Sequence, residues 1–266
     1  MSDPFAQFKN TQREGWAHFA PLETFTTAPA AQLVKFAGVQ SGQKVLDVAC
    51  GTGVVAVTAA RRGAKVTALD LTPELLARAR ENAEMAQVSV EWHEGDVEQL
   101  PFEKDTFDVV VSQYGHMFAP RPGVALSEML RVLKPGGTIA FSTWPPEMFI
   151  GKMFVLISSY MPPPPPGIAP PVQWGEPQVV RERLGDAVKD VAFRRGVMVM
   201  PALSPQHSRA GMERTAGPVV KLVQMLTASD PARLETFRRD YERLVDEFVV
   251  DNVVTQDYLM TRATKK

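Results

Sequence analysis

The chain has 266 residues, a formal net charge of −1 and 45% hydrophobic residues, enough to bury a full core as one large domain and too little positive charge to suggest a nucleic-acid partner. Its single cysteine, Cys50, excludes an intrachain disulfide framework. The start Met1-Ser2-Asp3-Pro4 is polar and no run of ~20 apolar residues occurs, so neither a signal peptide nor a membrane span is expected and a cytoplasmic location is the default.

Residues 1–40 read as a preface of one or two helices carrying Trp16, Phe19, Phe25 and Phe36. Residues 44–48 are short, apolar and β-branched, as a buried parallel strand requires. The glycines at 51 and 53 allow a tight turn, and a helix over 54–62 stops at Gly63. The free N–H groups of that helix's first turn face the strand's carboxyl end, where open α/β sheets bind ligands. A second strand over 65–69 closes on Asp70, and Thr72-Pro73 starts the next helix. A third strand over 88–93 leads into the acidic stretch 94–102. A fourth, 107–112, is followed by Gln113-Tyr114-Gly115-His116-Met117-Phe118, a helix near 123–133, and a fifth strand over 138–143.

Beyond that point the chain changes character. An apolar helix over 147–160 meets five consecutive prolines, 162–166, which enforce polyproline II geometry and act as a stiff surface connector or a recruiting segment. A short helix ends at Leu184, a sixth strand covers 188–200 and a seventh 252–262, with a helical insert over 205–250 between them. In its last helix, capped by Asp230-Pro231, the side chains Leu234, Phe237, Tyr241, Leu244, Val245 and Phe248 share one face, as core or as a homodimer interface. Met212, Met225 and Leu226 offer a pliable wall to an apolar substrate.

The run Asp47-Val48-Ala49-Cys50-Gly51-Thr52-Gly53 resembles the first motif of class I S-adenosylmethionine (SAM)-dependent methyltransferases, with Ala49 where the family usually carries one more glycine. The segment from Gly95-Asp96 to Leu100-Pro101-Phe102 and the string Leu130 to Gly137 resemble the same family, in particular its ubiquinone/menaquinone-biosynthesis and type 11 members. The resemblance spans about residues 40–145. It implies an α/β, Rossmann-like, seven-stranded and mostly parallel sheet with helices on both faces and one antiparallel edge strand. The expected segments are an N-terminal helical cap (1–40), a SAM-binding core (41–145), a Pro-rich connector with helices (146–187), and strands six and seven with the insert (188–266), packed as a single domain.

The resemblance also implies SAM as cofactor and S-adenosylhomocysteine (SAH) as product, held by Asp47, Ala49, Gly51, Thr52, Gly53, Asp70, Leu71, Asp96, Val97 and Gln113. A carboxylate at Asp47 suits the cationic methionine end; its bland reading is a helix-capping acid. Asp70, 17 residues after Gly53, has two oxygens to accept from ribose hydroxyls. Asp96 would accept from the adenine amino group and the Val97 N–H would reach the ring. Trp16, Phe19 and Phe25 would form a cap over substrate and cofactor, or pack the sheet face.

Methyl transfer is an in-line displacement, so positioning carries much of the rate, and a base is needed only where the acceptor must lose a proton. His116 and Tyr114 are the candidates, His116 reading otherwise as a hydrogen-bonded loop histidine. His18 is a weaker candidate, and His93 and His207 look peripheral. No His/Cys/Asp/Glu spacing suggests a metal. Ser112-Gln113-Tyr114-Gly115 stands where many nucleobase and glutamine methyltransferases carry an Asn/Asp-Pro-Pro-aromatic turn, which favours a small-molecule acceptor on oxygen, carbon or nitrogen. Two alternatives remain: a SAM-binding scaffold without turnover, and an NAD-dependent oxidoreductase, since Gly51, Gly53 and Ala56 match G-x-G-x-x-A. Asp47 would repel a pyrophosphate and so speaks against the second.

Overall fold

A computed structural model describes residues 3–266; Met1 and Ser2, part of the polar start, lie outside them. The sheet comprises β1 (Lys44–Val48), β2 (Lys65–Asp70), β3 (Val90–Glu94), β4 (Phe107–Gln113), β5 (Leu133–Thr143), β6 (Val188–Pro201), β7 (Val249–Val250) and β8 (Val253–Lys265). Its order is β3-β2-β1-β4-β5-β8-β6, with the short β7 paired to β8. There are therefore eight strands rather than seven, because the chain pairs Val249 and Val250 with β8 before turning through Asp251 and Asn252 into it. The antiparallel strand is β8, and it lies inside the sheet, between β5 and β6, rather than at the edge. The first five strands are mutually parallel.

Val45, Leu46 and Val48 are all buried, as a central strand covered on both faces requires. One helical layer is formed by α2 (Glu23–Ala37), α3 (Val54–Arg61) and α4 (Pro73–Met85), and the other by α5 (Pro122–Val132) and α7 (Pro177–Leu184). The remaining helices, α1 (Ala6–Trp16), α6 (Phe149–Tyr160), α8 (Pro205–Thr215), α9 (Gly217–Ser229) and α10 (Pro231–Asp246), pack on one another. In α10 the Asp230 carboxylate accepts from the Arg233 N–H at 3.0 Å, and Leu234, Phe237, Tyr241, Leu244 and Val245 are buried against α6, α8 and α9. The stripe is thus core, and a dimer through it is excluded by its own burial. Prolines 162–166 are exposed and belong to no helix or strand. No helix among the described residues is long and apolar enough to cross a membrane.

Candidate functional site

The end of β1 and the start of α3 are joined by a turn with three left-handed residues: Ala49 (φ 51°), Gly51 (φ 55°) and Gly53 (φ 76°). The two glycines do different work. A Cβ on Gly51 would meet nothing within 4 Å, so this residue leaves space at the pocket wall. A Cβ on Gly53 would lie 2.7 Å from the Trp92 ring and 3.0 Å from Ala79, so this residue lets α3 and α4 close on the sheet and does not line the pocket. Ala49 holds a conformation that costs an L-residue about 1 kcal/mol, and its carbonyl oxygen would sit 2.4 Å from a Cβ on Gly115. The ends of β1 and β4 therefore touch through a residue that has no side chain.

Asp47 is buried at the end of β1. Its Oδ2 accepts from the Ala56 N–H at 3.0 Å, inside the first turn of α3, while its buried Oδ1 has no partner. The helix-capping reading and the ligand reading thus each describe one oxygen. Burial, reinforced by the charge of Asp70, pushes the Asp47 carboxyl well above the usual range. A cation placed against Oδ1 would reverse that shift.

Asp70 closes β2. Its Oδ2 accepts from Gly51 N–H at 2.7 Å and its Oδ1 from Thr72 N–H at 2.8 Å, so it braces the glycine turn; burial raises its pKa despite these bonds. Each oxygen keeps a further lone pair for a hydroxyl donor. Asp96 follows β3. Its Oδ1 accepts from Glu98 N–H at 2.8 Å and its Oδ2 from Lys9 Nζ at 2.5 Å. Lys9 is buried, and its ammonium also reaches Asp3 and Glu98, each at 2.6 Å. Burial works against that charge, but the three carboxylates outweigh it and raise its pKa. Arg121 binds Glu98 from the other side, at 2.7 Å. The three carboxylates have metal-like proximity, yet an ammonium already stands among them. This cluster ties α1 to the loop after β3. Nothing in the sequence marks Lys9 as part of the site, because two of its three partners lie 87 and 89 positions away.

Asp47, Ala49, Gly51, Thr52, Asp70, Leu71, Asp96, Val97 and Gln113 all line one pocket, together with Trp16, Phe19 and Phe25. Gln113 donates from Nε2 to the Thr26 carbonyl at 2.9 Å, and its buried Oε1 has no partner. Trp16 packs on Phe118, ring centroids 4.7 Å apart. Phe36 packs against the core and is not on the pocket wall.

Of the two catalytic candidates, Tyr114 lines the pocket and His116 does not. Tyr114 is left-handed (φ 64°), stacked on Trp144 with centroids 4.0 Å apart, and burial pushes its phenol well above its usual range, so it is neutral. His116 is fully buried, its ring 4.7 Å from Phe141 and 4.8 Å from Trp174, and neither ring nitrogen has a partner. Burial, with the nearby Arg183 charge, lowers its pKa to about 3. These contacts differ from the expectation of His116 as base: it packs as a buried aromatic ring and is not on the pocket wall. His18, His93 and His207 also lie off the pocket wall.

The far wall was poorly marked in the sequence. It is built by Trp144 after β5, by Ile150, Met153 and Phe154 of α6, by Met198 and Met200 of β6, and by Gln256 of β8. Met212 lines it as the insert's composition suggested, but Met225 and Leu226 pack into the core instead.

Residues 46–141 match the family described as Methyltransferase domain. The chain is 37% identical over 259 residues to the uncharacterized protein Rv1403c of Mycobacterium tuberculosis, covering 96% of this chain and 94% of that protein. It is 41% identical over 114 residues to the ubiquinone/menaquinone biosynthesis C-methyltransferase UbiE of Cereibacter sphaeroides, 40% of this chain and 46% of that one. Among solved structures, BH2331 of Bacillus halodurans superposes with a TM-score of 0.59 at 23% identity, covering 90% of this chain and 99% of that one.

Proposed function

The chain belongs to the class I SAM-dependent methyltransferases, and from that premise we propose that it transfers a methyl group from SAM to a small-molecule acceptor on oxygen, carbon or nitrogen. The observation that carries the reading is the buried Asp47 carboxylate with one oxygen committed to α3 and the other unpartnered at the pocket. An unpaired buried acid is costly unless a cation completes it. Gln113 Oε1, also buried and unpartnered, would add a second acceptor on the same pocket wall.

SAM would supply a methyl group already activated on a sulfonium, so the donor needs only placement, while a hydroxyl or carbon acceptor must also release a proton, to water where no side chain of the wall takes it. Asp47 and Gln113 would hold the methionine end, Asp70 the ribose hydroxyls, and Asp96 with the Val97 N–H the adenine. The lone pairs left on Asp70 and Asp96 suffice, although both carboxylates already bind groups of the protein. Gly51 keeps the wall clear, and Trp16, Phe19 and Phe25 exclude water above it. Tyr114, neutral and rigidly stacked, serves to position the acceptor rather than to take its proton.

One observation favours a second reading, a SAM-binding protein without turnover: no histidine stands on the pocket wall among the described residues. A single experiment separates the two. SAH is titrated calorimetrically, and transfer from methyl-labelled SAM into a fractionated cell extract is followed, with Asp47→Asn as control. Binding with label in an organic-soluble product supports the enzyme; binding without label above the control supports the scaffold; no binding overturns both.

A further inference from the structure

The pocket runs along the carboxyl edge of the sheet, and the strand order polarises it. Asp47 and Asp70 lie at the carboxyl ends of β1 and β2, and Asp96 two residues beyond β3, all on one side of β4. Met198 and Met200 end β6, and Gln256 begins the antiparallel β8, so these three stand on the same edge on the other side. From β1 to β8 is three strand spacings, ~14 Å. One pocket is lined continuously from Lys9 and Asp47 at the first side to Met198, Met200 and Gln256 at the second.

Every charged side chain on the wall lies at the first end: Lys9, Asp47, Asp70 and Asp96. The β5-β8-β6 side and the helices over it contribute methionines, aromatic rings and aliphatic groups, and one polar side chain, Gln256. Gln256 is buried, and the partner of its Nε2 is the Met200 sulfur at 3.8 Å, a weak acceptor. A carboxylate, phosphate or ammonium placed there would lose its water and meet no opposite charge, which is prohibitive. A neutral flat molecule would meet polarizable sulfur and ring faces, and its one hydroxyl or carbonyl would find a better partner in the Gln256 amide than a thioether is.

We infer that the methyl acceptor is an uncharged, mainly apolar ring compound, seated on the methionine wall of β6 with a hydroxyl or carbonyl read by Gln256. The inference rests on the pocket being a methyltransferase site with its cofactor at the acidic end.

Three bicyclic probes of matched shape test it: 2-naphthol, 2-naphthoate and 2-naphthylmethylammonium. Their dissociation constants are measured on the full chain at neutral pH by tryptophan fluorescence, without and with SAH. The expected result is 2-naphthol binding at least about tenfold more tightly than either ion in both conditions. Gln256→Glu, near-isosteric, should raise the affinity of the ammonium probe relative to 2-naphthol by about tenfold, and Met200→Lys should do the same for 2-naphthoate. If one variant fails to fold, the other still decides. Equal binding of the three probes, no binding of 2-naphthol, or no shift of preference in a folded variant overturns the inference. A separate SAH titration keeps the two failures apart. Absent SAH binding overturns the cofactor assignment, while SAH binding with undiscriminated probes overturns the acceptor class alone.

Discussion

Along one edge of the sheet, the β3-β2-β1 side and the β5-β8-β6 side meet opposite demands. The first is polar and braced: Asp70 is held by two backbone N–H groups, Asp96 by Lys9 and the Glu98 N–H, Asp47 by α3. The second is apolar and built of side chains that adapt, with methionines from β6, α6 and α8. A site for one invariant cofactor gains from fixed acceptors, whereas a site for an apolar acceptor gains from shape and dryness. The two ends can therefore be broken separately, one by removing a charge and the other by adding one.

The largest effect is expected at Asp47. Asp47→Asn keeps an oxygen for the Ala56 N–H and removes the charge, so SAH affinity should fall on the order of 100-fold, ~3 kcal/mol, with little change in melting temperature. In the wild type the raised carboxyl must lose its proton to meet a cation. SAH affinity should therefore weaken as pH falls below that raised pKa, and calorimetry in buffers of different ionisation enthalpy should show proton release on binding. Unchanged affinity in Asp47→Asn would move the cofactor's cationic end elsewhere.

Next comes the clamp on α1. Lys9→Met leaves the fully buried Glu98 with Arg121 alone, Asp3 with only a 3.5 Å contact to Arg121, and Asp96 without a cation. Because Asp3 and Asp96 keep 30% and 26% side-chain exposure, the cost is set below that of a wholly buried pair, at ~2 kcal/mol, read as a fall of ~6 °C in melting temperature. No change in melting temperature would mean that the aromatic packing of Trp16, not the ion cluster, holds the helix.

His116 lies between the two sides, against Phe141 of β5 and Trp174. Its folded pKa of about 3 lies below the unfolded value of 6.5, so the unfolded state binds the proton first. Its contribution is fully present above pH 6.5 and is lost as pH falls toward 3. By pH ~5 the loss is ~2 kcal/mol. His116→Phe should flatten that part of the urea-denaturation profile against pH; an unchanged slope would assign the acid sensitivity to another group.

Legibility follows the same division. Asp47, Asp70 and Asp96 sit at strand ends next to glycine or proline signals, so period, turn chemistry and family resemblance converge on them within a few positions. Lys9, Trp144, Met200 and Gln256 reach the pocket by topology: Lys9 meets Glu98 across 89 positions, and Met200 meets Gln256 across 56. No local pattern encodes such pairs. His116 misled because imidazole in a loop after a strand reads as chemistry, whereas burial between two aromatic rings made it packing. The place of β8 inside the sheet was likewise invisible, since alternation marks a strand but not its neighbours.

The smallest expected effect tests the turn that joins the two sides. Ala49 stands left-handed at the place where the resembled first motif usually carries glycine, and its carbonyl and Cβ occupy the space that a Cβ on Gly115, next to Tyr114, would need. Ala49→Gly relieves about 1 kcal/mol of backbone strain but frees the unfolded chain by a similar amount. Stability in urea should therefore change by less than ~1 kcal/mol. Gly115→Ala is the contrasting change, because its Cβ would fall 2.4 Å from the Ala49 carbonyl oxygen and 2.5 Å from the Ala49 Cβ. It should destabilise by ~3 kcal/mol, and combining it with Ala49→Gly should recover part of that loss, since the Cβ contact disappears while the carbonyl contact stays. Strict additivity of the two changes would mean that β1 and β4 do not press on each other at this point, and that the left-handed Ala49 is held by the glycine turn alone.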